Sequence, residues 1–302
     1  VDAAEVEAEK KAAPFGRGVT MPGMPSIPLP VLLPAAVAAS PPGVVLPKHS
    51  RYAEQLLAAI PSEIREAASD PFSARALVFG LLLSPEYEVR ERQLAALQKA
   101  ADRRDDGETK RLAPHIAQLP DAARLPVIDL AIPALRRTSR SQYQQFRDLI
   151  ETLIRADGRV SLFEYVLRSA IERHLDSAFG RQRPQPTPPR PSLDSSIAWV
   201  VSCLAWAGHQ DDGEAQSAFD AAVSKVVGTS LPMVPRSECR LDELDRHLGW
   251  LALASPSNQK KLLDACLSCI GHDGRITVRE AELYRAIADV MGVPVPPLVP
   301  DA

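Results

Sequence analysis

From His49 onward, apolar residues recur at spacings of three and four, and no stretch shows the alternation and hairpin turns of a half-buried strand. Arg51–Ile60 and Pro61–Ser69 carry this helical spacing, with Pro61 suited to a first helical turn. Asp70-Pro71 then opens a strongly apolar run, Phe72–Leu83, whose twelve residues are too few to cross a bilayer and predict a buried core helix. Glu86–Ala101 and Glu108–Leu119 are amphipathic, and the charged string Arg103-Arg104-Asp105-Asp106-Gly107 reads as the loop between them. Further helices are predicted over Asp121–Arg137, Ser141–Ala156, Leu162–Phe179, Ser195–Ala207 and Asp212–Val227, then Leu241–Ala254, Asn258–Gly271 and Val278–Met291. The expected fold is all-α, a multi-helix array.

Three of these helices occur twice. Asp157-Gly158-Arg159-Val160-Ser161-Leu162-Phe163-Glu164 returns 116 residues later as Asp273-Gly274-Arg275-Ile276-Thr277-Val278-Arg279-Glu280. At the same offset Arg124-Leu125 falls on Arg240-Leu241, Asp129 on Asp245, Leu135 on Leu251, Ser139 on Ser255, Asp148 on Asp264 and Leu167 on Leu283. A fixed register of this length indicates two copies of one helical unit: helix, helix, Asp-Gly corner, helix. The division that follows is a disordered Pro/Ala-rich tether over 1–48, a helical layer over 49–120 and a first repeat over 121–180. A Pro-rich linker over 181–192 and a helical pair with the second repeat over 193–302 complete it.

Composition narrows the function classes. A net charge of -3 and a pI near 6.1 give no nucleic-acid signature. Four unevenly spaced cysteines, Cys203, Cys239, Cys266 and Cys269, form no disulfide framework in a chain of 302 residues, so a reducing compartment is expected. The opening VDAAEVEAEKKAA has charge but no apolar core, which is not a signal peptide, and a start at Val predicts a piece of a longer protein or a processed product. Met21–Lys48 is apolar but carries eight prolines. A membrane span must satisfy its own backbone, so this segment reads as an extended linker, and no span is expected in this chain. The second Pro-rich stretch, Arg181–Pro191, reads as an exposed loop, with a polyproline ligand as the alternative.

Every position of the repeated corner has a structural explanation. Gly158 and Gly274 stand just past a helix end, where a left-handed residue closes the helix. Ser161 and Thr277 are good N-caps, and Glu164 and Glu280 follow three residues later, which makes a capping box at each copy. Asp157 and Asp273 can bond back onto the turn amides. The competing reading is calcium: D-G-x-[IV]-[ST]-x-x-E matches the second half of an EF-hand loop. The first and third loop positions, which need oxygen ligands, hold Leu153 and Arg155 in one copy and Cys269 and Gly271 in the other. A weaker divalent-cation site on Asp157, Glu164, Asp273 and Glu280 stays open beside the structural corner.

Other chemistry is sparse. Cys266, Cys269 and His272 share helical spacing, but zinc needs a fourth ligand and none is near in sequence; buried small side chains explain the two cysteines better. His49, His115, His174, His209, His247 and His272 are scattered, with no H-E-x-x-H. No G-x-S-x-G, Walker loop or G-x-G-x-x-G occurs, so the chain carries no catalytic motif of its own.

The doubled Ala156–Glu164 and His272–Glu280 corners, each joining two apolar helices, resemble those of TerB-like (tellurite-resistance-type) helical domains. Tyr52-Ala53-Glu54-Gln55-Leu56-Leu57, Asp70–Ala76, Ala123-Arg124-Leu125-Pro126 and Leu283–Asp289 are similar to the C-terminal cytosolic region of bacterial membrane zinc metallopeptidases of the HtpX type. The likeness covers roughly residues 49–302. It implies an upstream membrane-embedded domain in the same polypeptide that carries H-E-x-x-H and the zinc, with no catalytic or metal position in this chain. It also implies that acidic positions matching Asp157, Glu164, Asp273 and Glu280 face a divalent metal or a partner. Arg159 and Arg275 depart from that pattern by lowering the local negative potential.

Two functions therefore compete. One is a non-catalytic regulatory or interaction region of a membrane-bound zinc metalloendopeptidase, receiving protein partners or substrates on the cytoplasmic side of the bacterial inner membrane. The other is a stand-alone TerB-like, divalent-ion-responsive helical stress protein.

Overall fold

The computed structural model describes residues 31–32, 47–100, 103–181, 186, 188–226, 230–296 and 298. These residues form an all-α protein. Its chain divides into two compact units, one over Ala53–Arg183 and one over Pro184–Ala302 with part of the N-terminal lead-in. No helix among the described residues is long and apolar enough to cross a membrane.

The first unit contains α2 (Ser62–Ser69), α3 (Pro71–Leu82), α4 (Tyr87–Ala100), α5 (Arg103–Ile116), α6 (Asp121–Leu135), α7 (Arg140–Ile154) and α8 (Leu162–Leu175); α1 (Pro47–Ala58) precedes them. The apolar run predicted as a core helix is α3. Asp70 caps it by accepting from the amides of Phe72 and Ser73, and Pro71 opens its first turn. Every residue from Ala74 to Leu82 is buried, and α3 packs on α2, α5, α6 and α7. Gly80 lets α5 approach, since a Cβ there would collide with the Ile116 side chain.

One expectation is corrected. The charged string 103–107 is not a loop but the first turns of α5. Asp105 is buried there and pairs with the buried Arg75 of α3 at 2.9 Å, so a residue that looks solvated in sequence is committed to the core. Gln93 of α4 makes a second polar tie. Its amide nitrogen donates to the Leu82 and Leu153 carbonyls at 2.9 and 3.0 Å, and its oxygen accepts from the Ser84 amide at 2.7 Å. The Leu82 carbonyl at the end of α3 is satisfied in this way, and the Leu153 carbonyl gains a donor beside the Arg155 amide.

The second unit contains α9 (Leu193–Gly208), α10 (Asp212–Val226), α11 (Leu241–Ala252), α12 (Pro256–Ile270) and α13 (Val278–Met291). Its central helix is α9, which touches the other four. The segment between α10 and α11 is clasped to α9: Ser202 Oγ accepts from the Val234 amide at 3.0 Å, and Trp206 Nε1 donates to the Val234 carbonyl at 2.8 Å. Arg236 lies over the Trp206 ring, 4.4 Å from its centroid, and donates to the His209 carbonyl at the α9 C-terminus.

The tether expected over 1–48 lies outside the described residues except at two places. Pro47 and Lys48 begin α1. Val31–Leu32 (β1) forms a two-residue antiparallel ladder with Arg275–Ile276 (β2), Val31 opposite Ile276 and Leu32 opposite Arg275. The strand was missed because two residues carry no period.

Within each unit the repeated helices meet a preceding apolar helix in the same way. In the first, α3 touches both α6 and α7, and α6 touches α8. In the second, α9 touches both α11 and α12, and α11 touches α13. The helix that serves each repeat as core thus lies outside the stretch whose residues match.

Candidate functional site: the two Asp-Gly corners

At the first corner α7 runs into a 3₁₀ turn, Arg155–Asp157, and Gly158 stops it with φ 73°. At the second, α12 ends at Ile270 and Gly274 takes φ 71°. Left-handed backbone of this kind favours Gly because a Cβ crowds the neighbouring carbonyl. The aspartates then lock the turn: Asp157 Oδ1 accepts from the Arg159 amide and Asp273 Oδ1 from the Arg275 amide, each at 2.9 Å.

Both capping boxes form. The Ser161 amide donates to Glu164 Oε2 at 2.7 Å, and the Glu164 amide donates to Ser161 Oγ at 3.2 Å. The Thr277 amide and Thr277 Oγ1 each donate to Glu280 Oε2 at 2.8 Å, and the Glu280 amide donates to Thr277 Oγ1 at 3.2 Å. Two more caps sit one helix earlier, at aligned positions. Ser139 makes a full capping box with Gln142, and Ser255 accepts from the Asn258 amide.

The two glutamates differ in their surroundings. Glu164 is half-buried, and burial raises its carboxyl above the usual range while its hydrogen bonds from Ser161, and to a lesser degree the Arg124 charge, pull it back. Arg124 is held there by stacking on Phe163, 4.2 Å from the ring centroid, and by donating to the Leu81 carbonyl. Glu280 is 1% exposed, and burial pushes its carboxyl up to about 7, with the Asp273 charge adding to the rise. At the matching places, Arg279 replaces Phe163 and Arg240 pairs with Asp242 at 3.1 Å. The Glu280 carboxyl lies against Gly208 at the end of α9, where a Cβ would collide with it, and its Oε1 is buried without a hydrogen-bond partner. Sequence showed the capping role of Glu280 but not its burial, because Gly208 lies 72 positions away.

Of the four candidate metal positions, Asp157 and Glu164 belong to the first unit and Asp273 and Glu280 to the second. Each carboxylate is engaged within its own corner. Among the described residues, no group of three or more His, Cys, Asp and Glu side chains is placed to hold a metal ion. A cation at either corner would have to draw most of its shell from water. Cys266 and Cys269 are fully buried in α12, their thiols pushed up by burial, while His272 is exposed. Cys203 and Cys239 are buried as a hydrogen-bonded neighbouring pair.

Comparison with protein-family models, with curated proteins and with solved structures returns no match.

Proposed function

We propose that this chain is the non-catalytic interaction region of a membrane-bound bacterial zinc metalloendopeptidase, presenting helical surfaces to partners or substrates on the cytoplasmic side of the inner membrane. One observation carries most weight on the chain's own part: the acidic residues of both corners are spent on closing one helix and starting the next. Groups engaged in this way orient helices. The sequence likeness over residues 49–302 supports the attachment to a peptidase, whose upstream domain would supply H-E-x-x-H and zinc.

The test is an immunoblot of native cells separated into membrane and soluble fractions, with an antibody against this chain. The proposal expects a membrane band well above 32.8 kDa. A soluble band near 32.8 kDa would overturn it. The divalent-ion reading is tested separately by melting the chain across a calcium or magnesium titration, where a saturating rise in Tm would favour it.

A further inference from the structure

The end of the first unit where α6 gives way to α7 collects arginine. Arg136 and Arg137 follow the last residue of α6, Arg140 opens α7, and Arg173 lies in the last turn of α8. Hydrogen bonds draw these helix ends together. Arg136 donates from Nε and a terminal nitrogen to the His174 carbonyl at 3.2 and 3.1 Å, and Arg137 donates to the Ser69 carbonyl at the end of α2. The Arg140 guanidinium lies against Gly180, just beyond α8, where an added Cβ would stand 2.9 Å from it. All four arginines are exposed, and among the described residues none of them is in an ion pair. The carboxylates of the same helix ends are already engaged: Arg147 holds Glu172 at 2.8 Å and Asp176 at 3.0 Å, and Asp70 caps α3.

The repeated unit does not require this charge. At the offset of 116 residues the four positions are Ala252, Leu253, Pro256 and Asp289. The second unit therefore ends and begins the same helices, again with a serine cap at Ser255, without one arginine among them. Like charges gathered in this way repel one another, and in a chain of net charge -3 they stand against the overall sign. A guanidinium offers five donors in a planar fork that matches phosphate oxygens, so Arg136 and Arg137 keep donors beyond those given to carbonyls. All four side chains are exposed rather than enclosed, which suits a plane of many phosphates more than a single held anion.

We propose that this end of the first unit, through Arg136, Arg137, Arg140 and Arg173, docks on an anionic phospholipid surface, an inference that rests on the membrane-attached reading above. The docking is electrostatic: each guanidinium near the headgroups gains from the negative surface potential, and salt screens the gain. Arg136 and Arg137 also tie helix ends together, so the surface is presented by a rigid part of the unit.

The test is flotation of the whole chain with vesicles of phosphatidylcholine alone and with about one third phosphatidylglycerol. Binding is expected to the second and not to the first, and it should fall about tenfold or more as salt is raised well above physiological strength. Arg140→Gln with Arg173→Gln should weaken binding about tenfold at low salt with the melting temperature unchanged, and Arg140→Lys with Arg173→Lys should keep most of it. Lys260→Gln with Lys261→Gln, which removes the same charge from α12, should bind as wild type does. No binding to anionic vesicles would overturn the proposal, and retention on immobilised polyglutamate would then point to an acidic protein surface. An equal loss in the α12 variant would also overturn it, as would release by inorganic phosphate beyond that by chloride at the same ionic strength. A membrane band in fractionated cells with no vesicle binding overturns only this proposal; a soluble band with vesicle binding overturns only the attachment to a peptidase.

Discussion

The two corners share a plan and differ in what lies behind it. Both close a helix with a left-handed glycine, lock the turn with an Asx bond and open the next helix with a capping box. In the first, the box glutamate keeps partial access to water and has Arg124, seated on Phe163, close by. In the second, the arginine at the matching position pairs with Asp242, and Glu280 is driven against the backbone of Gly208. Local hydrogen bonds can therefore be copied with the sequence, while the protonation of the same residue is set by a helix outside the copied stretch.

The largest consequence concerns pH. Glu280 has its folded pKa raised to about 7 from 4.5, mainly by burial, so the folded chain holds a proton that the unfolded chain has already released between those values. The stabilisation is complete below about 4.5 and is lost as pH rises through about 7. The shift corresponds to about 3 kcal/mol of linkage. Melting curves of the wild type should fall in Tm between pH 5 and 8, and Glu280→Gln, which keeps a capping side chain, should flatten that fall. The comparison breaks if Glu164→Gln flattens it as much, since Glu164 is only half-buried and burial is the main cause of the rise.

Gly208→Ala is expected next. The added methyl meets the Glu280 carboxyl, which cannot retreat without losing its bonds to Thr277, and overpacking of this kind costs about 1–3 kcal/mol. A denaturant titration would measure the loss as a drop in midpoint. Adding Glu280→Gln should not restore it, because glutamine has the same bulk, whereas adding Glu280→Ala should recover part of it. If both double variants behave alike, Glu280 is not what the methyl meets.

How much of this was legible in the chain follows from range. The corner itself was readable, because Asp157, Gly158, Ser161 and Glu164 act on amides no more than three residues away. The core helix α3 was readable because an apolar run of twelve residues has few other uses. What escaped depended on distant partners. Asp105 sits in a charged string, and only the approach of Arg75 makes it a buried helical residue. Buried Glu280 is the same case: its cap is three residues long, while its pKa depends on α9.

A smaller effect is expected at the glycines. Gly158 has no atom within 4 Å of where a Cβ would stand, so Gly158→Ala tests backbone conformation alone and should cost about 1–2 kcal/mol. Gly274→Ala should cost a similar amount, since its φ is within a few degrees of its counterpart. A large excess at Gly274 would show that the second turn is more tightly constrained than its dihedral suggests.

The caps give the finest discrimination. Ser161→Ala removes an acceptor for the Glu164 amide and should cost about 1 kcal/mol. Thr277→Ala removes the equivalent acceptor and also the hydroxyl that donates to Glu280 Oε2, leaving that buried carboxyl with only the Thr277 amide as donor. Fewer donors disfavour the ionised form, so the pKa of Glu280 should rise further and the pH at which stability is lost should move upward. Thr277→Ser, which keeps the hydroxyl, should leave the pH midpoint in place. Melting the three variants from pH 5 to 9 separates the effects: Ser161→Ala acts through the half-buried Glu164 and moves the pH midpoint less than Thr277→Ala, which acts through the fully buried Glu280. Parallel curves for all three would mean that Thr277 only caps the helix and does not tune the acid behind it.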